Sequence, residues 1–415
     1  MDIFYLHLFV KVLIWNNYNY TLLVFQDDFM NPKDFHSQAA GKPFFTPNGF
    51  WTFIPNPLPP EFLWSTGLVT GLGEAERELS RLSAMTISFP FPRLLIQPFI
   101  REEAVISSRI EGTHASLIDL FTYETALLSI FEKTDDIREV HNYVRAMEYG
   151  LERLKTLPVS LRLIRELHAI LTENVRGGTL TPGEFRLSQN WIGPFGSNPT
   201  TAMFVPPPVD EMVRALDNFE KFIHTDTEIP VLVRIGMIHY QFEAIHPFLD
   251  GNGRVGRLLI VLLLSEWGLL THPLLNLSTY IERYRQQYYD LLLRVSQEGD
   301  WEAWLDFFLR GVSEQARESI MRMERLQEVR NQYQAIVEHS RNPARMSGMV
   351  DFLFSRPIVS VKQVSESLAV PKKTAKDYLD KLQRAGVVRE ITGYARNRLF
   401  QADEILNALQ GIQQR

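Results

Sequence analysis

Cysteine is absent from all 415 residues. That removes disulfides, thiolate nucleophiles and cysteine-ligated zinc, and it makes a reducing, cytoplasmic compartment the natural expectation. A strong excess of either charge is lacking too. The 43 Lys and Arg stand against 49 Asp and Glu, for a net charge of -6, which argues against wholesale coating of nucleic acid and against a basic membrane anchor. No hydrophobic run reaches the ~20 residues of a spanning helix. The most apolar stretch, Ile3 to Trp15, is interrupted by Lys11, ends at Asn16, Asn17 and Asn19, and precedes no small-residue cleavage pattern. Neither a signal peptide nor a membrane span is expected there. Two readings stay open for it: a packed N-terminal arm, or a translated extension upstream of a start at Met30. Internal repeats and low-complexity tracts are missing. So are a Gly-x-Ser-x-Gly elbow and a zinc-binding His-Glu-x-x-His helix, since His239 and His246 stand seven apart without that pattern.

What is present reads as an ordinary globular chain, 45% hydrophobic and 22% charged, long enough for two or three compact units. Residues 1–43 form an N-terminal extension, and Phe44 to Pro60, rich in proline and aromatics, reads as an extended lead-in. Helical spacing follows over Leu68 to Leu82, Arg101 to Ile110, Ser116 to Phe131, Asp136 to Leu154 and Ser160 to Val175, with Ser160 as an N-cap and Gly112 as a helix stop. Between Gly177 and Pro208 turn residues crowd together, and short β-branched stretches near Gln189 to Ile192 and Met203 to Val205 predict a β-hairpin. Helices resume over Asp210 to His224, Val231 to Ile245, Arg254 to Trp267, Tyr280 to Ser296 and Trp301 to Glu338. Leu258 to Leu264 is apolar nearly all round, so that helix should be the buried centre. The expected division is a helical region over 44–160, a core over 161–340 and a smaller unit over 343–415. In the last, helices at Met349 to Phe354, Val361 to Leu368 and Lys372 to Ala385 precede a strand pair at Gly386 to Ile391 and Arg398 to Gln401, the order of a winged helix-turn-helix.

One loop concentrates polar chemistry: His246-Pro247-Phe248-Leu249-Asp250-Gly251-Asn252-Gly253-Arg254-Val255-Gly256-Arg257. Each piece alone is commonplace, since Asn-Gly is usually a turn, a lone histidine beside an apolar helix is usually structural, and arginines usually sit on a solvated face. Together they describe an anion cradle. Gly251, Asn252 and Gly253 allow consecutive backbone N–H groups to point into one concavity at a helix N-terminus. Arg254 and Arg257, three apart, add charge-assisted hydrogen bonds from one helix face. A carboxylate at the mouth, Asp250, would repel a bare phosphate but hold a Mg²⁺ that bridges two. His246 on the rim can accept a proton near neutral pH from an incoming hydroxyl. In-line attack on phosphorus needs these parts.

At every fixed position this loop resembles the Fic family signature His-Pro-Phe-x-(Asp/Glu)-Gly-Asn-Gly-Arg-x-x-Arg. The resemblance implies a mainly α, Fic-type helical bundle with a β-hairpin flap, and an enzyme that transfers AMP from ATP onto a Ser, Thr or Tyr hydroxyl of a protein, releasing pyrophosphate. It implies that His246 is the base, that Asp250 holds Mg²⁺, that Gly251, Asn252 and Gly253 cradle phosphates, that Arg254 supports the α- and β-phosphates, and that Arg257 pairs with the γ-phosphate. Ser107-Ser108-Arg109-Ile110-Glu111-Gly112 fits the family's inhibitory pattern Ser/Thr-x-x-x-Glu-Gly/Asn, implying that Glu111, with Ser107 four residues before it, competes for Arg257. Some relatives also use this glutamate to remove AMP. Gly183-Glu184-Phe185-Arg186, Gln189 to Gly193 and Phe204 to Pro208 are similar to the family's flap, with Trp191, Ile192, Gly193, Thr201, Ala202 and Phe204 as target-facing residues that pair with an extended segment. Tyr288, Tyr289 and Gln297 fall where relatives contact the nucleoside, although aromatics at helical spacing are also ordinary core.

The C-terminal unit differs in charge. Lys362 to Asp403 holds nine Lys and Arg against five Asp and Glu, so a basic patch on the helix from Lys372 is expected. Docking of DNA through that helix and docking of a protein or a second copy of the chain stay equal readings. The expected partners are therefore a protein substrate, the chain itself as a modified target, DNA through the C-terminal unit, and a homodimer, with no membrane. The rival functional class is a DNA-binding regulator that senses ATP without turnover.

Overall fold

The structure is a computed structural model that describes residues 29–88, 92–126, 135–175, 181–340, 342–393 and 397–411. The expectations placed on Ile3 to Trp15, on the end of the Ser116 to Phe131 pattern, on Gly177 to Leu180 and on Arg396 lie outside the described residues.

The molecule is mainly helical. A hairpin of β1 (Gly41–Phe45) and β2 (Trp51–Pro55) pairs antiparallel, Pro43 opposite Phe53, where the sequence suggested only an extended lead-in. Five helices follow: α1 (Thr66–Ser88), α2 (Pro92–Ile110), α3 (Leu117–Ala126), α4 (Asp135–Arg153) and α5 (Leu161–Leu171). The N-cap role read for Ser160 holds, its hydroxyl accepting the Leu163 amide. Helix α2 begins some nine residues before the expected Arg101, because Pro98 reads as a breaker yet is carried inside the helix.

The central layer is α6 (Val209–His224), α7 (Val231–Ile245) and α8 (Asn252–Glu266). Helix α8 is buried continuously from Val255 to Leu264, as its all-round apolar character requires. The helix expected over Tyr280 to Ser296 is two, α9 (Leu277–Arg283) and α10 (Arg285–Glu298), broken at Tyr284. Helix α11 (Trp301–Glu338), about 57 Å long at 1.5 Å per residue, runs beside α1 and touches α7, α9 and α10.

The C-terminal unit is α12 (Pro343–Ser355), β3 (Ile358–Ser360), α13 (Val361–Ser367), α14 (Lys372–Arg384), β4 (Arg389–Glu390), β5 (Leu399–Gln401) and α15 (Asp403–Leu409). Its antiparallel sheet has the order β3-β5-β4; β3 and α15 had no counterpart in the sequence reading. The unit is no detached appendage. Helices α12 and α15 pack on both α2 and α11, β3 and β5 lie against α3, and the Thr125 hydroxyl donates to the Ile358 carbonyl at 2.8 Å.

The expected flap hairpin shrinks to a single bridge. Ile192 and Phe204 exchange N–H···O bonds of 2.8 and 3.1 Å, and no regular strand surrounds them among the described residues. Pro194, Pro206, Pro207 and Pro208 withhold the amide donors that a longer ladder would need.

Candidate active site

The loop 246–251 joins the C-terminus of α7 to the N-terminus of α8, and both ends are shaped for it. His246 caps α7 in the left-handed conformation, φ 49° and ψ 61°, while Gly251 precedes α8 at φ 78°, where glycine carries no steric cost. The imidazole Nδ1 lies 3.2 Å from the Glu243 carbonyl, which can only accept. Nδ1 therefore carries the proton, and the Nε2 lone pair is free to act as a base. Burial pushes the imidazole pKa down to about 4, with the Arg186 guanidinium adding to the effect, so the base form prevails at neutral pH.

At the start of α8 the first internal bond runs from the Val255 amide to the Gly251 carbonyl, which leaves the amides of Asn252, Gly253 and Arg254 aimed out of the helix end. The Asn252 side chain does not join them. Its Oδ1 accepts the Phe248 amide and its Nδ2 donates to the Phe248 carbonyl, both at 2.8 Å, so this residue clamps the loop and offers a phosphate only its backbone N–H. Gly253 has to be glycine for a reason of space: a Cβ there would stand 2.3 Å from Glu111 Oε1 and 3.0 Å from Arg257 Nη1.

Arg254 is buried, pairs with Glu139 on α4 at 3.1 Å and lies 3.6 Å from Asp250, while its Nε has no partner. That orphaned donor fits an anion in the cradle. Asp250 keeps about half of its side chain exposed, at 51%, and no group of three or more His, Asp or Glu that could hold a metal occurs among the described residues. A Mg²⁺ fits this donor set in the manner usual for that ion, with one carboxylate and the remaining ligands supplied by phosphates and water.

The other arginine is engaged through Nε and Nη2. Arg257 Nε donates to Ser107 Oγ at 2.8 Å, and its Nη2 donates to the Ser107 carbonyl at 2.8 Å and to Glu111 Oε1 at 2.6 Å. Desolvation would raise the Glu111 pKa, but Arg257 outweighs it and holds the carboxylate ionised; the guanidinium is held above its ordinary value in turn. Ser107 on α2 and Glu111, the residue just past its end, thus both meet Arg257.

The three residues expected near the nucleoside differ in their surroundings. Tyr288 is buried, and its hydroxyl is hydrogen-bonded to His239 Nε2 at 2.8 Å, so it packs as core in this structure. Tyr289, at the next position, is 39% exposed and feels both Glu111 and Arg257. The backbone carbonyl of Gln297 is bonded to the amides of His36 and Ser37, in the segment that leads to β1.

On the flap, Trp191 and Ile192 are exposed, Thr201 is exposed and receives no partner beyond Asn198, and Ala202 and Phe204 are buried. The Ala202 carbonyl already accepts the Met30 amide and the Val205 carbonyl accepts the Phe53 amide, each at 2.8 Å, so the return segment is covered. Since Ile192 bonds to Phe204, the backbone groups of Trp191 and Gly193 point to the opposite, open edge.

Residues that sequence reasoning missed hold the loop from behind. His168 on α5 stacks on Phe248 at 3.7 Å, accepts the Gly183 amide at Nδ1 and so donates from Nε2 to the Asp250 carbonyl at 3.1 Å; burial lowers its pKa to about 4. Asn190 donates to the carbonyls of His246 and Phe248. Glu243 is pushed up to about 8 by desolvation and stands against Gly256, where a Cβ would come within 2.3 Å of its Oε1.

Comparison with known proteins agrees with this geometry. The Fic/DOC family N-terminal profile matches residues 69–152 and the Fic/DOC family profile matches 158–264. A probable protein adenylyltransferase of Aquifex aeolicus is 31% identical over 205 residues, 46% of this chain and 58% of that protein. Protein adenylyltransferase Fic of Drosophila grimshawi is 28% identical over 202 residues, 48% of this chain and 38% of that protein. The matched stretch thus spans less than two thirds of either relative. The crystal structure of a Fic family protein from Desulfovibrio desulfuricans shares the fold, with a TM-score of 0.55 at 18% identity over 83% of this chain and 98% of that one. With two adjoining domain profiles, a complete signature loop and a shared fold, the chain belongs to the Fic/DOC family.

Proposed function

We propose that the chain transfers AMP from ATP to a side-chain hydroxyl of a protein, and that Glu111 holds this activity down. The observation that carries the reading is that one loop and the helix start after it hold an imidazole whose Nδ1 is tied to the Glu243 carbonyl, helix amides left without an internal partner and two buried guanidiniums. His246, Arg254 and Arg257 are all near enough to act on the charge of Glu111. His246 takes the proton from the hydroxyl, the oxygen bonds to the α-phosphorus, and the bond to the departing pyrophosphate breaks on the opposite side. The amides of Asn252 to Arg254 and the Arg254 guanidinium stabilise the charge on the phosphates. Mg²⁺ held by Asp250 would neutralise charge shared between two phosphates. The target presents its backbone to the open edge at Trp191 and Gly193, which fixes the hydroxyl while reading little sequence. Arg257 is the γ-phosphate's partner, and as long as Glu111 holds it, the triphosphate cannot seat in register.

Labelled ATP tests this. Glu111→Gly removes a charged pair of about 1.5–3 kcal/mol, so AMP incorporation into protein should rise about 10- to 100-fold, and His246→Ala in that background should abolish it. ATP binding without AMP incorporation or pyrophosphate release in Glu111→Gly sinks the reading. Release of AMP from a premodified protein, lost in Glu111→Gly, would assign removal to the same site.

A second reading concerns the C-terminal unit, which we take as a winged helix-turn-helix that docks on duplex DNA. Helix α14 buries Ala375, Tyr378, Leu379 and Leu382 and exposes Lys372, Lys373, Lys376, Lys381 and Arg384. A four-residue turn, 368–371, joins it to α13, and the helix diameter suits the major groove. Fluorescence anisotropy with a random-sequence duplex should show binding that weakens steeply with salt and drops at least about tenfold in the Lys372→Glu/Lys373→Glu variant. Binding that is absent at low salt assigns the face to a protein partner.

A further inference from the structure

Arg186 is 1% exposed, yet among the described residues its guanidinium donates only to backbone carbonyls. Nε reaches His246 O at 3.1 Å, Nη1 reaches Ser188 O at 3.2 Å, and Nη2 reaches Pro207 O at 2.5 Å. Its own amide donates to Pro247 O at 2.9 Å. A buried cation with no carboxylate beside it is costly to keep, and burial lowers its pKa to about 10. Its three carbonyls belong to the catalytic loop, to the outgoing arm of the flap and to the returning arm.

His246 needs such support. A non-glycine residue in the left-handed region costs about 1–2 kcal/mol and persists only where its surroundings over-determine it. Its carbonyl receives two donors, Arg186 Nε and Asn190 Nδ2, which uses both lone pairs and fixes the peptide plane. With that plane fixed, the imidazole can keep Nδ1 on Glu243 O and leave Nε2 as the base. The same guanidinium sets where Ser188 and Pro207 stand, and hence where the open edge at Trp191 and Gly193 stands.

We propose that Arg186 is a positioning residue that ties the backbone of His246 to both arms of the flap, so that the base and the docked target strand keep one fixed separation. This rests on the AMP-transfer reading, but two of its tests do not. A lysine retains the charge as a point and cannot reach three carbonyls, whereas glutamine removes the charge. In the Glu111→Gly background, Arg186→Lys should lower AMP incorporation at least tenfold while MgATP affinity stays within twofold. The His246 imidazole, followed by NMR, should titrate near its parent value in Arg186→Lys and move up toward 6.5 in Arg186→Gln. Amide exchange should quicken at 188–193 and 246–248 but not within 258–264. Asn190→Ala, which frees one of the two bonds to His246 O, should lie between parent and Arg186→Lys, and it serves if the arginine variants fail to fold. Full transfer in Arg186→Lys overturns the proposal, as does unchanged exchange at the flap or a parallel loss of MgATP binding. If Glu111→Gly itself transfers no AMP, the AMP-transfer reading fails, while titration and exchange still decide whether the tie exists.

Discussion

At the scale of single residues the loop is built by side chains that touch no phosphate. Asn252 looks from sequence like part of the glycine cradle, yet its amide group is spent on both backbone groups of Phe248. Asn252→Ala leaves the buried Phe248 amide without a partner, whereas the Phe248 carbonyl keeps Asn190. The cost should be about 2–3 kcal/mol in chemical denaturation, since an unpaired buried donor adds its desolvation penalty to the lost bonds. MgATP affinity should fall as well, because α8 would begin from a frayed loop; an unchanged midpoint would show that the clamp is idle. The signature made Asn252 legible as a site residue but not its task, since spacing reports which residues share a loop and not which way an amide faces. Tyr288 and Tyr289 make the same point. They are adjacent on α10 and about 100° apart around it, so one is core against His239 and the other is exposed, and only packing against α7 decides which.

At the scale of elements, long helices were legible and so was the short α13, whereas the proline-carrying start of α2, the break at Tyr284 and the short α15 were not. Val231–Ile245 and Trp301–Glu338 run between the residues that periodicity and capping signals mark. The flap failed as a hairpin because its β-branched stretches are real but its prolines deny it a ladder, and because Met30 and Phe53, distant in sequence, take the backbone acceptors of its return segment. No local signal encodes that cover. Its consequence is specific: only one edge remains for a target strand. Trp191→Pro removes an outward N–H there without touching the Ile192–Phe204 bridge. Incorporation of AMP into protein should drop more than about tenfold in the Glu111→Gly background, as expected for a lost backbone hydrogen bond plus misplacement of the hydroxyl, while MgATP binding stays within twofold. Equal loss of both would place the flap's influence on the nucleotide instead.

At the scale of the whole molecule, buried titratable groups of opposite kind lie on α2, α5 and α7 and at His246, and they set how stability responds to pH. Burial lowers His168, His239 and His246 to about 4, 3 and 4 from 6.5. Such groups bind more protons unfolded than folded between those values, so their share of stability is full above 6.5 and is lost as pH falls toward 3. Burial raises Glu102 to about 7 and Glu243 to about 8 from 4.5. These bind more protons folded, so their share is full below 4.5 and is lost as pH rises through 7 and 8. The two sets oppose each other between 4.5 and 6.5, where the melting temperature should be nearly flat. Below 4.5 the histidines dominate and it should drop; above 6.5 only the carboxyls still titrate and it should drop again, up to pH 8. Glu243→Gln, which stays neutral, should flatten the alkaline arm and leave the acid arm unchanged in a series of melts at stepped pH. Glu111→Gly should do part of the same, because the ionised Glu111 is among the groups that raise Glu243, and without it Arg257 pulls that carboxyl down. A parent protein that keeps gaining stability up to pH 8 would mean that Glu243 is ionised beside Arg257, and the inhibitory pair would then compete with a second internal carboxylate for the same guanidinium.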